Sequence, residues 1–252
     1  MKRINIVGVP VDIVKQEELE EVLFTLYEQA GTKQIIFLSI WDLLKARRNS
    51  EYMQCLKSAA LILPVSKSIL RGAAFLKQEV PVRYNPFSTV IMLLTYLETR
   101  YKSLYMFGGR KSSLMDSEHN IRVTYPGLQI VGRYVGYYPS GVEKDIISAI
   151  YKANPSLVII SDGVKKGETW AYEHRNEFGS SFFIYYKDIF DIFSKRKNRV
   201  DPGVFERGNE IWTEIFHNPF KIFLIFPYIW YKFLLLFYRL FRINKKTEKS
   251  VE

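Results

Sequence analysis

The sequence predicts an α/β fold, in which a mostly parallel, Rossmann-like sheet carries helices on both faces and a helical tail follows. Two observations predict the sheet. Strand-like and helix-like segments alternate over residues 1–193, and most of the strand-like runs are almost wholly apolar, as in a sheet covered on both sides. A break in composition at residues 194–209 then separates this region from an apolar, aromatic carboxyl-terminal stretch. We therefore predict an α/β domain at 1–193 and an appendage at 194–252.

In the first half of the chain, β-branched or apolar runs alternate with segments of helical periodicity. Leu19, Leu23 and Leu26 recur at helical spacing before a glycine stop at Gly31. In chain order we predict a strand in RINIVGVPVDI, a helix in KQEELEEVLFTLYEQAG, a strand in KQIIFLSI, a helix in WDLLKARRNSEYMQCLKSA, a strand in ALILPVS and a helix in TVIMLLTYLETRYK.

The second half continues the alternation. We predict a strand in SLYMFGG, a helix in RKSSLMDSEHNIRVTYPG, an extended LQIVGRYVGYY, a helix in GVEKDIISAIYKAN, a strand in PSLVIISDG, a helix in KGETWAYEHRNEFG and a last strand in SFFIYYKD. Ligands of such sheets bind beyond the carboxyl ends of the strands. By this rule the candidate ligand-binding loops lie at 38–42, 64–67, 108–113 and 161–170.

Charge and cysteine content narrow the class of protein. The formal net charge is +10, and seven lysines or arginines lie between Pro219 and Lys249, beside the most apolar stretch. Basic residues interspersed with aromatic residues favour binding to an anionic membrane surface. Nucleic-acid-binding proteins instead distribute their basic residues over a polar face of the fold. The single cysteine, Cys55, fits a reducing cytosol. We expect no secretory signal at the amino terminus.

Two of the loops have the composition of phosphate sites. Gly108 and Gly109 stand between a predicted strand and helix, where glycine lets a phosphate approach backbone N–H groups. A tight structural turn explains the same two residues equally well. In the second loop, Lys166 with its neighbouring lysine could hold a diphosphate, and Asp162 or Glu168 could bind sugar hydroxyls. A solvated turn is the alternative there.

No motif for a metal or for a nucleophilic hydrolase is present. The sequence lacks a DxD pair, an HExxH helix, a Cys/His cluster and a GxSxG elbow. We therefore predict no metal site and no cofactor.

In order along the chain, these segments resemble the WecG/TagA/CpsF family of bacterial glycosyltransferases. The likeness runs through GVPVDIVKQEELEEVL, LYMFGGRKSS, YPGLQIVGRYVGYY, KGETW and GNEIWTEIFHNPFK, and it is strongest in the third. The resemblance implies a metal-independent, inverting enzyme that moves a sugar from a UDP-sugar to a polyprenyl-diphosphate-linked acceptor. Such enzymes build teichoic acid and other cell-surface polysaccharides.

The family's functional residues carry over only in part. By resemblance, the substrate and nucleotide site comprises Arg83, Gly108, Gly109, Lys166, Glu168 and Trp170. The family's Thr-x-Asn corresponds to Leu38 and Ile40, and its catalytic aspartate corresponds to Val65. Because valine cannot accept a proton, another carboxylate is needed, and the candidates are Asp162 and Glu168, with Asp42 as a third. A catalytically weak relative that serves as a nucleotide-sugar or lipid-binding scaffold is the alternative.

The carboxyl-terminal stretch predicts an amphipathic, membrane-associating helix at about 219–246. On a helical wheel its cations form a narrow stripe and the other face is apolar. A central lysine and Pro227 count against a helix that spans the bilayer. A helix packed on the domain is the other alternative. The predicted membrane-binding residues are Lys221, Trp230, Lys232, Arg239 and Arg242.

These inferences together predict a peripheral protein on the inner face of the cytoplasmic membrane. Its predicted partners are a UDP-sugar donor, a polyprenyl-linked lipid acceptor and the membrane surface, with no nucleic acid. The sequence leaves open whether the chain forms a homo-oligomer.

Overall fold

The computed structural model describes residues 1–208 and 223–241. Its strands are β1 (Lys2–Ile6), β2 (Val9–Ile13), β3 (Lys33–Leu38), β4 (Leu61–Pro64), β5 (Ser103–Phe107), β6 (Gln129–Tyr134), β7 (Leu157–Ile160) and β8 (Phe182–Tyr185). Its helices are α1 (Leu19–Glu28), α2 (Ile40–Ala46), α3 (Ser50–Ser58), α4 (Lys67–Phe75), α5 (Pro86–Thr99), α6 (Lys111–Thr124), α7 (Glu143–Ala153), α8 (Trp170–Glu173), α9 (Ile189–Phe193), α10 (Pro202–Arg207) and α11 (Ile225–Leu240).

Six of the strands form one parallel sheet in the order β4-β3-β8-β7-β5-β6. The last strand in sequence, β8, therefore lies in the centre, between β3 and β7. Successive side chains of a strand point to opposite faces, and here both sets are buried. Ile35 and Phe37 pack with α1, α5, α6 and α9, whereas Ile36 and Leu38 pack with the amino-terminal hairpin, α2, α3 and α4. The predicted parallel sheet with helices on both faces is confirmed.

The amino-terminal run differs from its prediction as a single strand. It forms an antiparallel hairpin of β1 and β2, in which Ile6 pairs with Val9. Val7 and Gly8 between them both have positive φ, 45° and 85°. This is the geometry of a two-residue turn whose twist matches that of the strands it joins.

Two predicted helices are also divided or shortened. The segment predicted as one helix between β3 and β4 contains α2 and α3, because the side chain of Asn49 accepts a hydrogen bond from the Tyr52 N–H and starts a new helix. The segment predicted as a helix from Lys166 contains only the four-residue α8, between short 3-10 turns. Lys166 and Gly167 have positive φ, which a continuous helix does not permit.

The final helix, α11, packs one face against α4. Tyr231 is fully buried and its hydroxyl donates to the Ser68 carbonyl oxygen at 3.0 Å. Gly72 of α4 makes this contact feasible, because a Cβ there would collide with the Tyr231 hydroxyl. Leu234 and Leu235 complete the buried face. Within the described ranges, no helix has both the length and the apolar character needed to cross a bilayer.

An ion pair between a buried carboxylate and a partly exposed arginine fastens the hairpin to the sheet. Asp12 is fully buried, and Arg3 donates to both of its oxygens, at 2.6 and 2.8 Å. The same carboxylate accepts from the backbone N–H of Ile62 in β4 at 2.7 Å. Arg3 also donates to the Ala59 carbonyl oxygen. The pair therefore links three segments of the chain through charge-assisted hydrogen bonds.

Replacing Asp12 by alanine should lower the free energy of unfolding by about 1–3 kcal/mol, because it leaves the buried Ile62 N–H without its acceptor and removes the carboxylate that Arg3 contacts. Urea denaturation followed by circular dichroism measures this. Lys15→Ala, which removes an exposed ion pair with Glu18, is the matched control and should leave the midpoint unchanged. Equal midpoints for Asp12→Ala and the control would contradict this role.

Candidate active site

A cleft of about 270 Å³ opens at the carboxyl ends of β3, β4 and β8. Three loops supply most of its wall: the turn into α2, the turn into α4, and the segment after β8. The last wall comes from α5 and from the chain that leads into and through α10. The lining residues are Ser39, Ile40, Trp41, Val65, Ser66, Lys67, Ser68, Asn85, Pro86, Phe87, Tyr186, Asp188, Val200 and Phe205.

A second hollow adjoins the cleft and contains Arg83. Both hollows share Lys67, Asn85 and Phe205 in their walls. The Arg83 guanidinium donates from Nε to the Val65 carbonyl oxygen at 2.7 Å and lies 3.7 Å from the Phe205 ring centroid. Burial lowers the pKa of Arg83 to about 10, so the side chain remains charged at neutral pH. The predicted arginine thus sits directly beside the Val65 position.

Lys67 adds a second cation to this wall. Its ammonium donates to the carbonyl oxygens of Glu206 and Arg207 at 3.2 and 3.4 Å, at the carboxyl end of α10. Cations interact favourably with the carbonyl end of a helix. Lys67 and Arg83 therefore hold α10 against the cleft, and both bring positive charge to its edge.

Ser39 and Asp42 form a capping box at the start of α2. The Asp42 carboxylate accepts from the Ser39 N–H at 3.0 Å and from the Ser39 hydroxyl, and the Ser39 hydroxyl accepts from the Asp42 N–H. Burial raises the pKa of Asp42. Asp42 is thus engaged in the helix cap, and Ser39, rather than Asp42, lines the cleft.

The Gly108–Gly109 turn belongs to a neighbouring cluster of three loops. Gly108 donates to the Tyr134 carbonyl oxygen at 2.9 Å and Gly109 to the Asp162 carbonyl oxygen at 2.8 Å. A Cβ at Gly108 would lie 2.8 Å from the Ser161 nitrogen. The glycine pair therefore lets the backbones of the loops after β5, β6 and β7 approach one another closely. Its own N–H groups donate the hydrogen bonds that join these loops.

Beside this cluster α6 begins without a side-chain cap. Arg110 is exposed, and its guanidinium has no hydrogen-bond or ion-pair partner within residues 1–208 and 223–241. Tyr137, with φ 57°, donates its hydroxyl to Asp162 at 2.6 Å, and this bond raises the pKa of Tyr137. The helix start, Arg110 and this tyrosine–carboxylate pair form an exposed polar surface on which an anion and a hydroxyl-bearing group can both be bound.

The loop cluster and the cleft are joined through the segment after β8. The carbonyl oxygen of Lys187 accepts from the Ser161 hydroxyl at 2.6 Å and from the Asp162 N–H at 3.1 Å. Its two neighbours, Tyr186 and Asp188, line the cleft. The two regions are thus parts of one continuous edge of the sheet.

The structure does not bring the remaining predicted residues into the cleft. Trp170 is buried among Phe107, Phe178 and Phe183, and its indole N–H donates to Glu143 at 2.9 Å. Lys166 is exposed and pairs with Glu173 at 2.8 Å and Glu51 at 3.6 Å.

Glu168 is buried and accepts a hydrogen bond from the Tyr52 hydroxyl. Its backbone carbonyl oxygen accepts from the Gln34 amide at 2.6 Å. Burial, and secondarily the negative charge of Asp42, raise the pKa of Glu168 to about 8. Glu168 therefore ties the loop after β7 to β3 and α3.

Sequence reasoning missed Lys67, Tyr186 and Asp188. The rule that ligands bind beyond the carboxyl ends of strands, which points to the other loops, applies equally to the residues that follow the strand SFFIYY. Lys67 lies in the predicted loop at 64–67, close to Val65, but no motif in the sequence marks it as a site residue.

Glu168 should make stability depend on pH. Its folded pKa of about 8 exceeds the ordinary value of 4.5, so the folded state holds this proton where the unfolded chain has lost it. The contribution of Glu168 to the free energy of unfolding is complete below about pH 4.5 and is lost as pH rises through about 8. We expect the free energy of unfolding to fall by a few kcal/mol across that range.

Urea denaturation at a series of pH values from about 5 to about 9 tests this. Glu168→Gln, which is neutral at every pH, should flatten the slope. Glu20→Gln, at an exposed site on α1, is the control and should keep the wild-type slope. A wild-type slope in Glu168→Gln would show that other groups cause the dependence.

Comparisons with known proteins identify the family of this chain. Residues 4–248 match the model of the glycosyl transferase WecG/TagA/CpsF family. A relative from Bacillus spizizenii, named N-acetylglucosaminyldiphosphoundecaprenol N-acetyl-beta-D-mannosaminyltransferase, is 22% identical over 69% of this chain and 67% of its own length. A Staphylococcus aureus protein of the same name is 18% identical over 83% of this chain and 82% of its own. The chain is therefore a member of the WecG/TagA/CpsF glycosyl transferase family, as the sequence predicted.

Proposed function

We propose that the protein transfers a sugar from a UDP-sugar to a polyprenyl-diphosphate-linked acceptor at the inner surface of the cytoplasmic membrane, in cell-surface polysaccharide or teichoic acid synthesis. The observation that carries this proposal is the continuous carboxyl edge of the sheet. It offers a cleft lined by Lys67, an adjoining hollow that contains Arg83, and next to them an uncapped helix start with Arg110. The acceptor class follows the names of the two relatives, which specify a diphosphoundecaprenol-linked sugar.

In this proposal the donor binds at the loop cluster. The diphosphate lies at the start of α6, where unpaired N–H groups and the charge of Arg110 and Lys111 stabilise an anion. The Asp162 carboxylate and the Tyr137 hydroxyl oxygen accept hydrogen bonds from ribose or sugar hydroxyls. Three residues support the loop that carries Asp162 rather than contacting the donor: Lys166, Glu168 and Trp170.

The acceptor binds in the cleft. Its diphosphate is matched by Arg83 and Lys67, and its first sugar lies among Ser39, Ser66 and Asn85, which line the cleft and offer hydrogen-bonding groups. The negative charge that develops on the departing UDP is stabilised by Arg110 and Lys111 in an inverting, metal-independent transfer.

A scaffold that binds nucleotide-sugar or lipid without turnover is the second candidate. Val65 favours it, because this residue lines the cleft where the family resemblance implies an aspartate. Release of UDP from a UDP-sugar in the presence of acceptor separates the two candidates.

The first test of the donor site is calorimetric titration with UDP, without added metal. Arg110→Ala should weaken binding about tenfold or more, because a charge-assisted hydrogen bond contributes about 1.5–3 kcal/mol. Arg100→Ala is the matched control. Arg100 packs beside Phe24 and Tyr96 ahead of β5, at the opposite edge of the sheet. It should leave affinity unchanged. Equal affinities of Arg110→Ala and wild type for UDP would show that the diphosphate does not bind at the start of α6.

Membrane association is proposed for the outward face of α11. Lys232 and Arg239 lie near one edge of this face, 5.4 Å from the Tyr228 ring and 4.5 Å from the Phe75 ring. Cations at the margin of an apolar face suit an interfacial helix whose cations contact lipid phosphates. Lys221 and Arg242 lie outside the described residues. The exposed apolar residues are Phe223, Phe226, Ile229, Trp230, Phe233, Leu236, Phe237, Leu240 and Phe241.

Replacing both Phe226 and Phe233 by glutamate should reduce binding to vesicles of phosphatidylglycerol and phosphatidylcholine at least about tenfold, because each buried phenylalanine contributes about 1.5–3 kcal/mol. Co-sedimentation measures it. Val123→Glu places the same charge on an exposed apolar site of α6 and should have no effect. Substitution is preferable to deletion of the tail, because α11 also buries Tyr231 against α4. Undiminished binding of the double variant would place membrane contact elsewhere.

A further inference from the structure

Four acidic side chains stand near the carboxyl ends of the central strands, and three are committed to other contacts. Asp42 closes the capping box of α2, and Glu168 is buried against Tyr52. Asp162 accepts from the Tyr137 hydroxyl, in the loop cluster rather than in the cleft. The fourth, Asp188, is the single carboxylate that lines the cleft among the residues described.

Asp188 has the geometry of an available proton acceptor. Its Oδ2 accepts a hydrogen bond from the Lys197 ammonium at 2.6 Å. Its Oδ1 has no hydrogen-bond partner in residues 1–208 or 223–241. The side chain is about one-third exposed, at 32%, so a ligand in the cleft can reach it. One oxygen therefore holds the carboxylate in position while the other is free to accept a hydrogen bond.

Asp188 also lies between the two regions that the proposed reaction joins. On one side it shares the cleft with Val65, Ser39 and Ser66. On the other, the carbonyl oxygen of the preceding residue accepts from Ser161 and Asp162 of the donor-side loop. A base in an inverting transfer must contact the acceptor hydroxyl as that hydroxyl faces the donor sugar. This position meets that requirement.

We propose that Asp188 is the catalytic base of this protein and substitutes for the carboxylate that is missing at Val65. This inference rests on the proposed transferase function. The acceptor hydroxyl oxygen bonds to the anomeric carbon of the donor while the bond from that carbon to the β-phosphate oxygen breaks. The electron pair leaves with UDP, and the hydroxyl proton passes to Oδ1 of Asp188. Lys197 holds the carboxylate in position before the transfer.

The test compares wild type with Asp188→Asn, using N-acetylglucosaminyl-diphosphoundecaprenol or a shorter-chain analogue, UDP-N-acetylmannosamine and UDP-N-acetylglucosamine. UDP release gives the rate. Asp188→Asn should lower kcat by about 10²–10⁴-fold, the usual contribution of a general base. KM and the calorimetric affinity for UDP should stay close to those of wild type. Added formate should restore part of the rate to Asp188→Ala, which a purely structural role would not allow.

Asp116→Asn is the matched control, because Asp116 forms a comparable ion pair with Arg196 at 2.9 Å outside the cleft. It should retain the wild-type rate. A second variant, Val65→Asp combined with Asp188→Asn, should recover activity if both positions reach the same hydroxyl. Transfer by wild type with an undiminished rate in Asp188→Asn would overturn this inference alone. No transfer by wild type would overturn the proposed function, and the base assignment with it.

Discussion

The common direction of the six central strands is the constraint on which the rest of the molecule depends. Parallel strands end at the same edge, so the segments after β3, β4, β5, β6, β7 and β8 are gathered there. The same arrangement buries both faces of the sheet and requires helices on each. Residues that are distant in sequence, such as Ser39, Val65 and Asp188, therefore line one cleft. The charge pattern of the site follows from this edge rather than from any single motif.

Close backbone contact organises one half of that edge, and polar side chains organise the other. Around Gly108 and Gly109, hydrogen bonds between loops leave little room for side chains, and ligand contact falls to Arg110, Tyr137 and Asp162 at the rim. Around the cleft, Lys67 and Arg83 hold α10 in place through its backbone carbonyl oxygens. The segment after β8 connects the two halves, which makes it a natural position for a group that acts between donor and acceptor.

The helix α4 relates the cleft to the proposed membrane face. Its first residues, Lys67 and Ser68, line the cleft, and the Ser68 carbonyl oxygen accepts the hydroxyl of Tyr231 from α11. The apolar outer face of α11 is therefore anchored to an element of the site itself. In the proposed function this connection places the acceptor cleft near the surface that holds a lipid-linked substrate.

By itself the sequence determined the strand–helix alternation, the parallel sheet and the loops at its carboxyl edge, because apolar runs and periodicity record burial locally. The family followed from the resemblance of its motifs. By resemblance the sequence also assigned Arg83 to the substrate site. Only the tertiary structure decided that the first strand is a hairpin turning at Val7 and Gly8, and that Glu168 and Trp170 face the interior. It also decided that Asp188 enters the cleft, because β8 is last in sequence but central in the sheet. Strand order depends on long-range packing, and no local pattern encodes it.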